Sequence, residues 1–281
     1  MRKHLKSFLS YSRRMVYVGL LLSYTPIISQ QHADTAKAAP VKHKIVLVPF
    51  KPTMFMNAIG KAVNSKTHLG YEQITEAFRY QMDLALYNTF KQAYSTASLI
   101  QKPSPKDTTL HYIYGSIGYN YDLLPNDSLA DENHAEFDPK LQKKHFVNNG
   151  QLQVPMDYSK RFMNVHIGNS QLLPYLNKEY GSDIVVFVNE VDIKNVSNTT
   201  TEDLTQSNYR RQVTVQYSIV DMQKHYLAKG ILTTYFPYTE NDPNVIGEKY
   251  FTVIAHAMLA SLQKGLQKKQ ANVPVKKPAS H

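Results

Sequence analysis

Apolar residues follow a strand-like spacing in several parts of the chain. The stretch KIVLVPF, residues 44–50, is almost continuously apolar, which is typical of a strand that is buried on both faces. Two further apolar runs predict a shorter strand over 94–100 and a strong strand over 183–193. The sequence therefore predicts a sheet that has strands in its interior.

A different pattern follows residue 209. There, apolar and polar residues alternate one by one, which predicts an antiparallel strand with one exposed face. Its apolar positions are Val213, Val215, Tyr217 and Ile219, and its polar positions are Gln212, Thr214, Gln216 and Ser218. A turn over 222–225 and a return strand over 226–235 complete a predicted hairpin.

Helical spacing of apolar residues predicts three further elements. A long helix is expected over 71–94, a short one over 171–180 that stops at Gly181, and a terminal one over 245–268. Residues 54–70 also show roughly helical spacing, and Gly70 is expected to end that segment.

The predicted fold class is α/β (α+β), with a mixed sheet of about five strands packed by two or more helices. One domain is expected over 39–268. It contains a long irregular insertion at about 101–170, with two short strands at 145–154 and 162–167. The Lys- and Pro-rich residues 269–281 are expected to be a disordered basic tail.

Residues 1–38 are interpreted as a signal peptide and linker. A basic start, MRKHLKSFLSYSRR, precedes a short apolar run over 15–28, and polar residues follow. An uncleaved signal anchor is the alternative, although the run is too short for a comfortable membrane span. The expected location is the periplasm or the outside of the cell.

Composition narrows the function classes. The 281 residues carry a formal net charge of +10 and no cysteine. The lack of cysteine excludes disulfides, thiolate metal sites and a lipidated N-terminal cysteine, so the chain is not a bacterial lipoprotein. Because the excess charge lies mainly in the first 39 residues and over 264–277, no nucleic-acid partner is expected. This distribution of positive charge is compatible with peripheral contact with an anionic membrane.

Two clusters are candidate sites. Tyr112, Tyr114, Tyr119 and Tyr121 lie close to two glycines, a composition typical of adaptable binding surfaces. Alternatively, they pack one face of a strand. The second cluster has oxygen ligands at alternate positions that suit a hard cation, and a solvated acidic loop is the alternative. It comprises Asp131, Glu132, His134, Glu136 and Asp138.

Three short motifs carry a resemblance to a known group. They are residues 44–50, residues 180–186 (YGSDIVV), and residues 217–221 followed by the hairpin and Gly230. In this order they resemble the domain shared by the curli secretion channel protein CsgG, the penicillin-binding-protein activator LpoB and the N-terminal domain of TolB. The lack of a lipidation cysteine and the Tyr-rich insertion depart from that pattern.

The resemblance implies a bacterial protein that binds partners in the cell envelope and lacks catalytic residues. No dinucleotide, phosphate-loop, nucleophile-elbow or zinc-protease motif occurs in the sequence. We therefore expect a non-catalytic envelope protein without a cofactor, which binds an envelope protein or polymer and supports assembly, transport or wall synthesis. The alternative is a secreted hydrolase or metal-dependent enzyme with its site in 106–170. A third hypothesis is a carbohydrate-binding or adhesive module that uses the tyrosines.

Overall fold

A six-stranded mixed sheet forms the centre of the protein. The computed structural model describes residues 43–101, 108–123, 146–148, 151–153, 161–196, 201–205 and 209–271. In chain order the strands are β1 (Lys44–Val48), β2 (Phe55–Asn57), β3 (Ser95–Ser98), β4 (Ile117–Leu123), β5 (Phe146–Asn148), β6 (Gln151–Gln153), β7 (Arg161–Ile167), β8 (Ile184–Asn195), β9 (Arg210–Asp221) and β10 (Tyr226–Pro237).

Seven α-helices are seen in the described residues. They are α1 (Gly60–Thr67), α2 (Tyr71–Phe90), α3 (Thr109–Ser116), α4 (Leu172–Tyr180), α5 (Thr201–Thr205), α6 (Pro243–Ile246) and α7 (Thr252–Ala271). A 3-10 turn, Pro52–Met54, precedes β2, and a π-helical turn, Gly247–Phe251, joins α6 to α7.

The large sheet has the strand order β10-β9-β8-β1-β3, and β2 pairs in parallel with residues 191–193, near the C-terminal end of β8. β1 is parallel to both β3 and β8, whereas β9 is antiparallel to β8 and β10. The predicted α/β class, with its mixed sheet and packing helices, is confirmed. Two smaller two-stranded sheets, β4-β7 and β5-β6, accompany it.

β1 is buried on both faces, as its continuous apolar run predicts. Ile45 and Leu47 enter a first core with α2 and α7, while Val46 and Val48 enter a second core with α3 and α4. All four side chains are at most 2% exposed. A strand with two buried faces needs apolar residues at consecutive positions, which explains the lack of alternation.

The first core contains the apolar stripes of α2 and α7. Phe78, Met82 and Leu86 of α2 recur at helical spacing and meet Ile254 and Met258 of α7. The helical prediction for 54–70 holds only in its second half, because β2 occupies 55–57 and α1 ends at Thr67 with His68 as its left-handed cap. Gly70 does not end that helix but flanks the start of α2 at Tyr71. The Gly70 amide donates to Gln73 Oε1 over 2.9 Å, which satisfies one free donor at the helix start.

Residues 109–123 and 161–167 of the predicted insertion form regular elements. α3 and β4 occupy residues that were expected to be irregular, because Leu110, Ile113 and Ile117 pack against the second core. The predicted strand over 162–167 is confirmed as β7, and the one over 145–154 is two short strands, β5 and β6. At the other terminus, α7 continues to Ala271, three residues into the predicted tail.

We predict that Gly265→Ala destabilises the protein by about 1–3 kcal/mol. A Cβ at this position of α7 would lie 1.9 Å from the Leu227 carbonyl oxygen of β10, so the helix and strand would have to separate. Chemical denaturation measures the change. The matched control is Gly115→Ala in α3, where nothing lies within 4 Å of the added carbon. That variant should gain up to about 1 kcal/mol; equal effects of the two substitutions would contradict this packing.

Candidate functional site

One face of the large sheet carries a row of polar side chains next to β7. Asn189 and Ser218 are fully buried there, and Asn164 of β7 is 3% exposed. Gln216 of β9 and Tyr226 of β10 flank the row on the same side. Buried polar groups cost free energy unless they are hydrogen-bonded, so their partners define this part of the fold.

These side chains bind the backbone edge of β7 that β4 leaves unpaired. Ser218 Oγ accepts from the Val165 amide over 3.3 Å, and Tyr226 OH donates to the Val165 carbonyl over 2.6 Å. At Met163, Gln216 Oε1 accepts from the amide and Asn189 Nδ2 donates to the carbonyl over 2.8 Å. The sheet face therefore substitutes for a third strand beside β7.

A second set of contacts ties β4 into the same network. Ser218 Oγ donates to Asn164 Oδ1 over 2.6 Å, and Asn164 Nδ2 donates to Asp122 of β4 over 2.6 Å. Lys229 Nζ reaches the same carboxylate over 3.2 Å. The β4-β7 pair is thus held to β9 and β10 through side chains.

The expectation that β9 has one exposed face is therefore wrong over part of its length. Val213, Val215, Tyr217 and Ile219 do face the first core as predicted. Ser218 on the opposite face is nevertheless fully buried, since β7 covers it. Alternation records the polarity of a face, and here the polar face binds protein backbone as well as solvent.

The four candidate tyrosines lie along α3 and β4. Tyr112 OH accepts from Asn169 Nδ2 over 3.1 Å, and its ring meets Tyr175 edge to face. Tyr114 OH donates to the Pro49 carbonyl over 2.9 Å. Both are half-buried and pack against the second core.

Exposure increases along β4 away from α3. Tyr119 packs against the second core, and burial raises the pKa of its hydroxyl to about 12. Tyr121, two residues later on the same strand face, is 49% exposed, and Leu123 is 64% exposed. The end of β4 therefore presents an aromatic and an aliphatic side chain to solvent; we call Tyr121 and Leu123 the β4 tip. Leu123 was not among the predicted site residues.

A buried polar cluster lies where β1 and β3 end. Arg79 of α2 donates to the Phe50 carbonyl over 3.0 Å and to Tyr114 OH over 2.8 Å. One helical turn later, Asp83 accepts from Ser98 Oγ at 2.5 Å and from Gln101 Nε2 at 3.2 Å. The sequence analysis did not predict this cluster. The signal that could have indicated it is the pair Arg79 and Asp83, two charged residues four positions apart within the apolar stripe of α2.

Asp83 is the least satisfied member of that cluster. It is 1% exposed, and its Oδ1 has no hydrogen-bond partner within the described residues. Burial raises the pKa of Asp83 from 3.8 to about 6, although hydrogen bonds from Ser98 and Gln101 and the charge of Arg79 oppose this. The arrangement joins α2 to the ends of β1 and β3 and offers a buried proton-binding group.

The predicted metal ligands cannot be placed, because Asp131, Glu132, His134, Glu136 and Asp138 lie outside the described residues. In the part of the chain that is described, no group of three or more His, Cys, Asp or Glu side chains could hold a metal ion. Nor does any helix of that part have the length and apolar character needed to cross a membrane.

The enzyme alternative predicts that His134 or His166 converges with carboxylates in one concave pocket. His134 lies outside the described residues, and His166 is exposed on β7. A shallow pocket of about 370 Å³ lies instead between the end of α2 and β3, lined by Tyr87, Lys91, Gln92, Ala93, Tyr94, Ser95 and Thr96. The enzyme alternative stays a prediction.

Comparison with known proteins assigns no family to this chain. No protein-family model matches it, and no curated protein matches it either.

We predict that Asp83→Asn stabilises the protein at pH 8 by about 2–3 kcal/mol and changes its stability much less at pH 4. Between about pH 4 and 6, the folded protein keeps a proton on Asp83 that the unfolded chain releases. The wild type therefore loses stability as the pH rises through this window, whereas asparagine stays neutral. Denaturant unfolding across this pH range measures the difference.

The matched control for this prediction is Glu72→Gln, an exposed carboxylate in the first turn of the same helix. It should change stability by less than about 1 kcal/mol at either pH. Parallel pH profiles of the wild type and Asp83→Asn would show that Asp83 does not hold this proton.

Proposed function

We propose that this chain is a non-catalytic, exported cell-envelope protein that binds another envelope component through the β4 tip. The observation that carries the proposal is the exposure of Tyr121 and Leu123 on a strand that is fixed to the large sheet. Surface tyrosines on rigid elements are frequent anchors of protein interfaces, because they bury much area at a low cost in conformational entropy.

The surroundings of the β4 tip support a protein partner over a wall polymer. Leu123 contributes apolar area but no hydrogen-bonding group, so it suits an apolar pocket of another protein. Asp122 lies on the opposite face of β4, where its ion pair with Lys229 holds the strand to β10 and leaves the face of Tyr121 and Leu123 apolar.

Two features of the sequence support the proposed location in the cell envelope and the proposed binding role. The basic and apolar order of residues 1–28 has the layout of an export signal. The motifs over 44–50, 180–186 and 217–221 resemble those of envelope proteins that act by binding partners. In this proposal the protein supports assembly, transport or wall synthesis by holding such a partner.

We predict that Tyr121→Ala combined with Leu123→Ser removes a specific partner from crosslinked pull-downs of the tagged protein out of its own envelope. Loss of two interface anchors should weaken binding by at least about tenfold. The matched control is Tyr71→Ala, because Tyr71 is 67% exposed but lies on α2. Thermal melting of each variant checks that the fold is kept.

Retention of the same partner by the double variant, or its equal loss from Tyr71→Ala, would contradict binding at the β4 tip. Recovery of wall glycan instead of a protein would support the β4 tip as the binding surface but would contradict a protein partner.

A further inference from the structure

The outer edge of β10 is a second feature that points to a partner. β10 is the terminal strand of the large sheet and has twelve residues. Within the described residues, β9 is the only strand that pairs with it. A terminal strand presents unpaired amide and carbonyl groups, which can bind another strand.

The hydrogen bonds around β9 show which groups of β10 face outward. The Val196 amide donates to the Arg210 carbonyl, so the backbone N–H and C=O of Arg210 point towards β8. Because these groups alternate in direction along a strand, those of Gln212, Thr214 and Gln216 also point towards β8. The intervening residues, Arg211, Val213, Val215 and Tyr217, face β10 and pair with Phe236, Thr234, Leu232 and Gly230. The backbone groups of Ile231, Thr233 and Tyr235 therefore point away from the sheet.

In the part of the chain that is described, the features that usually protect a strand edge lie at the two ends of β10. Lys229 is bound to Asp122, a register shift occurs between Tyr226 and Ala228, and Pro237 ends the strand. Between them, residues 230–236 (GILTTYF) carry no charge. An uncharged edge without proline or a bulge favours pairing with another strand.

We propose that β10 pairs antiparallel with β10 of a second copy of this chain, on a two-fold axis at Thr233. This inference uses a different surface from the β4 tip and does not depend on the function proposed above. The axis places Thr233 opposite itself and Ile231 opposite Tyr235 of the second copy. Outward-facing residues then meet outward-facing residues, and three residue pairs exchange about six backbone hydrogen bonds.

The same register is self-complementary in its side chains. Thr–Thr and β-branched–aromatic pairs are favourable neighbours across antiparallel strands. Lys229 comes opposite Pro237, so no like charges meet. The two large sheets would then form one continuous sheet through the dimer.

The first test is the molar mass of the purified full chain in solution, measured by sedimentation or light scattering at micromolar concentration. The wild type should be a dimer. Thr233→Pro should raise the dimer dissociation constant at least tenfold, because it removes an outward amide and none that binds β9. Thr233→Val keeps that amide and should remain dimeric.

A second variant covers the risk that proline distorts the strand. Thr233→Lys leaves the backbone unchanged and places two like charges on the axis, so it should also raise the dissociation constant at least tenfold. Thermal melting checks that each variant is folded. A monomeric wild type, or folded Pro and Lys variants that stay dimeric, would overturn the proposal.

Cysteine crosslinking tests the register directly, because the chain has no cysteine of its own. Hydrogen-bonded antiparallel pairs have Cα atoms about 5.5 Å apart, which a disulfide can span. Thr233→Cys should therefore oxidise rapidly to a covalent dimer. The controls are Thr214→Cys, on the same face but one strand inward, and Gln223→Cys on the exposed turn.

Both controls should crosslink at least tenfold more slowly than Thr233→Cys. Equal rates at Gln223 would show random collision and contradict the paired edge. Crosslinks in the envelope from Thr233→Cys to a different polypeptide, with a monomer in solution, would overturn self-pairing and assign the edge to another protein.

Discussion

A strand edge that lies against the face of a sheet must find hydrogen-bond partners among side chains, and the fold of this protein depends on meeting that constraint. Among the described strands, β7 pairs with β4 alone, and its other edge meets β9 and its neighbours. Each unpaired buried amide or carbonyl would cost about 1–3 kcal/mol. Ser218, Gln216, Asn189 and Tyr226 remove that cost for Met163 and Val165.

This arrangement connects the core to the proposed interface. The apolar face of β9 packs with α2 and α7, so the position of the strand does not depend on its polar face. The polar face then fixes β7 in one position and register, because side-chain hydrogen bonds are directional whereas apolar contacts are not. β4 follows through Asp122, and the β4 tip is presented on a fixed strand.

Elements whose burial follows one simple period could be predicted from the sequence. β1, α2, α4 and the β8–β10 strands carry apolar runs, stripes or alternation that match their observed faces. α3 was not predicted, since Tyr, Thr and Ile favour strands locally while packing against the second core makes residues 109–116 helical. β4 matches the alternative that the tyrosines pack one face of a strand, but only for Tyr119 and Tyr121. Nor does the sequence show that Ser218 is buried, because the alternation pattern is the same whether a polar side chain binds protein backbone or water.

Amide hydrogen exchange at Val165 in Ser218→Ala tests the central claim, that side chains of the large sheet hold the edge of β7. The Val165 amide should exchange slowly in the wild type and at least about tenfold faster in the variant, where its acceptor is missing. Amides of Val46 and Val186, in the parallel strands, should keep their rates. Unchanged exchange at Val165 would contradict the account, because the β4-β7 pair would then be held without the hydrogen bond from Ser218.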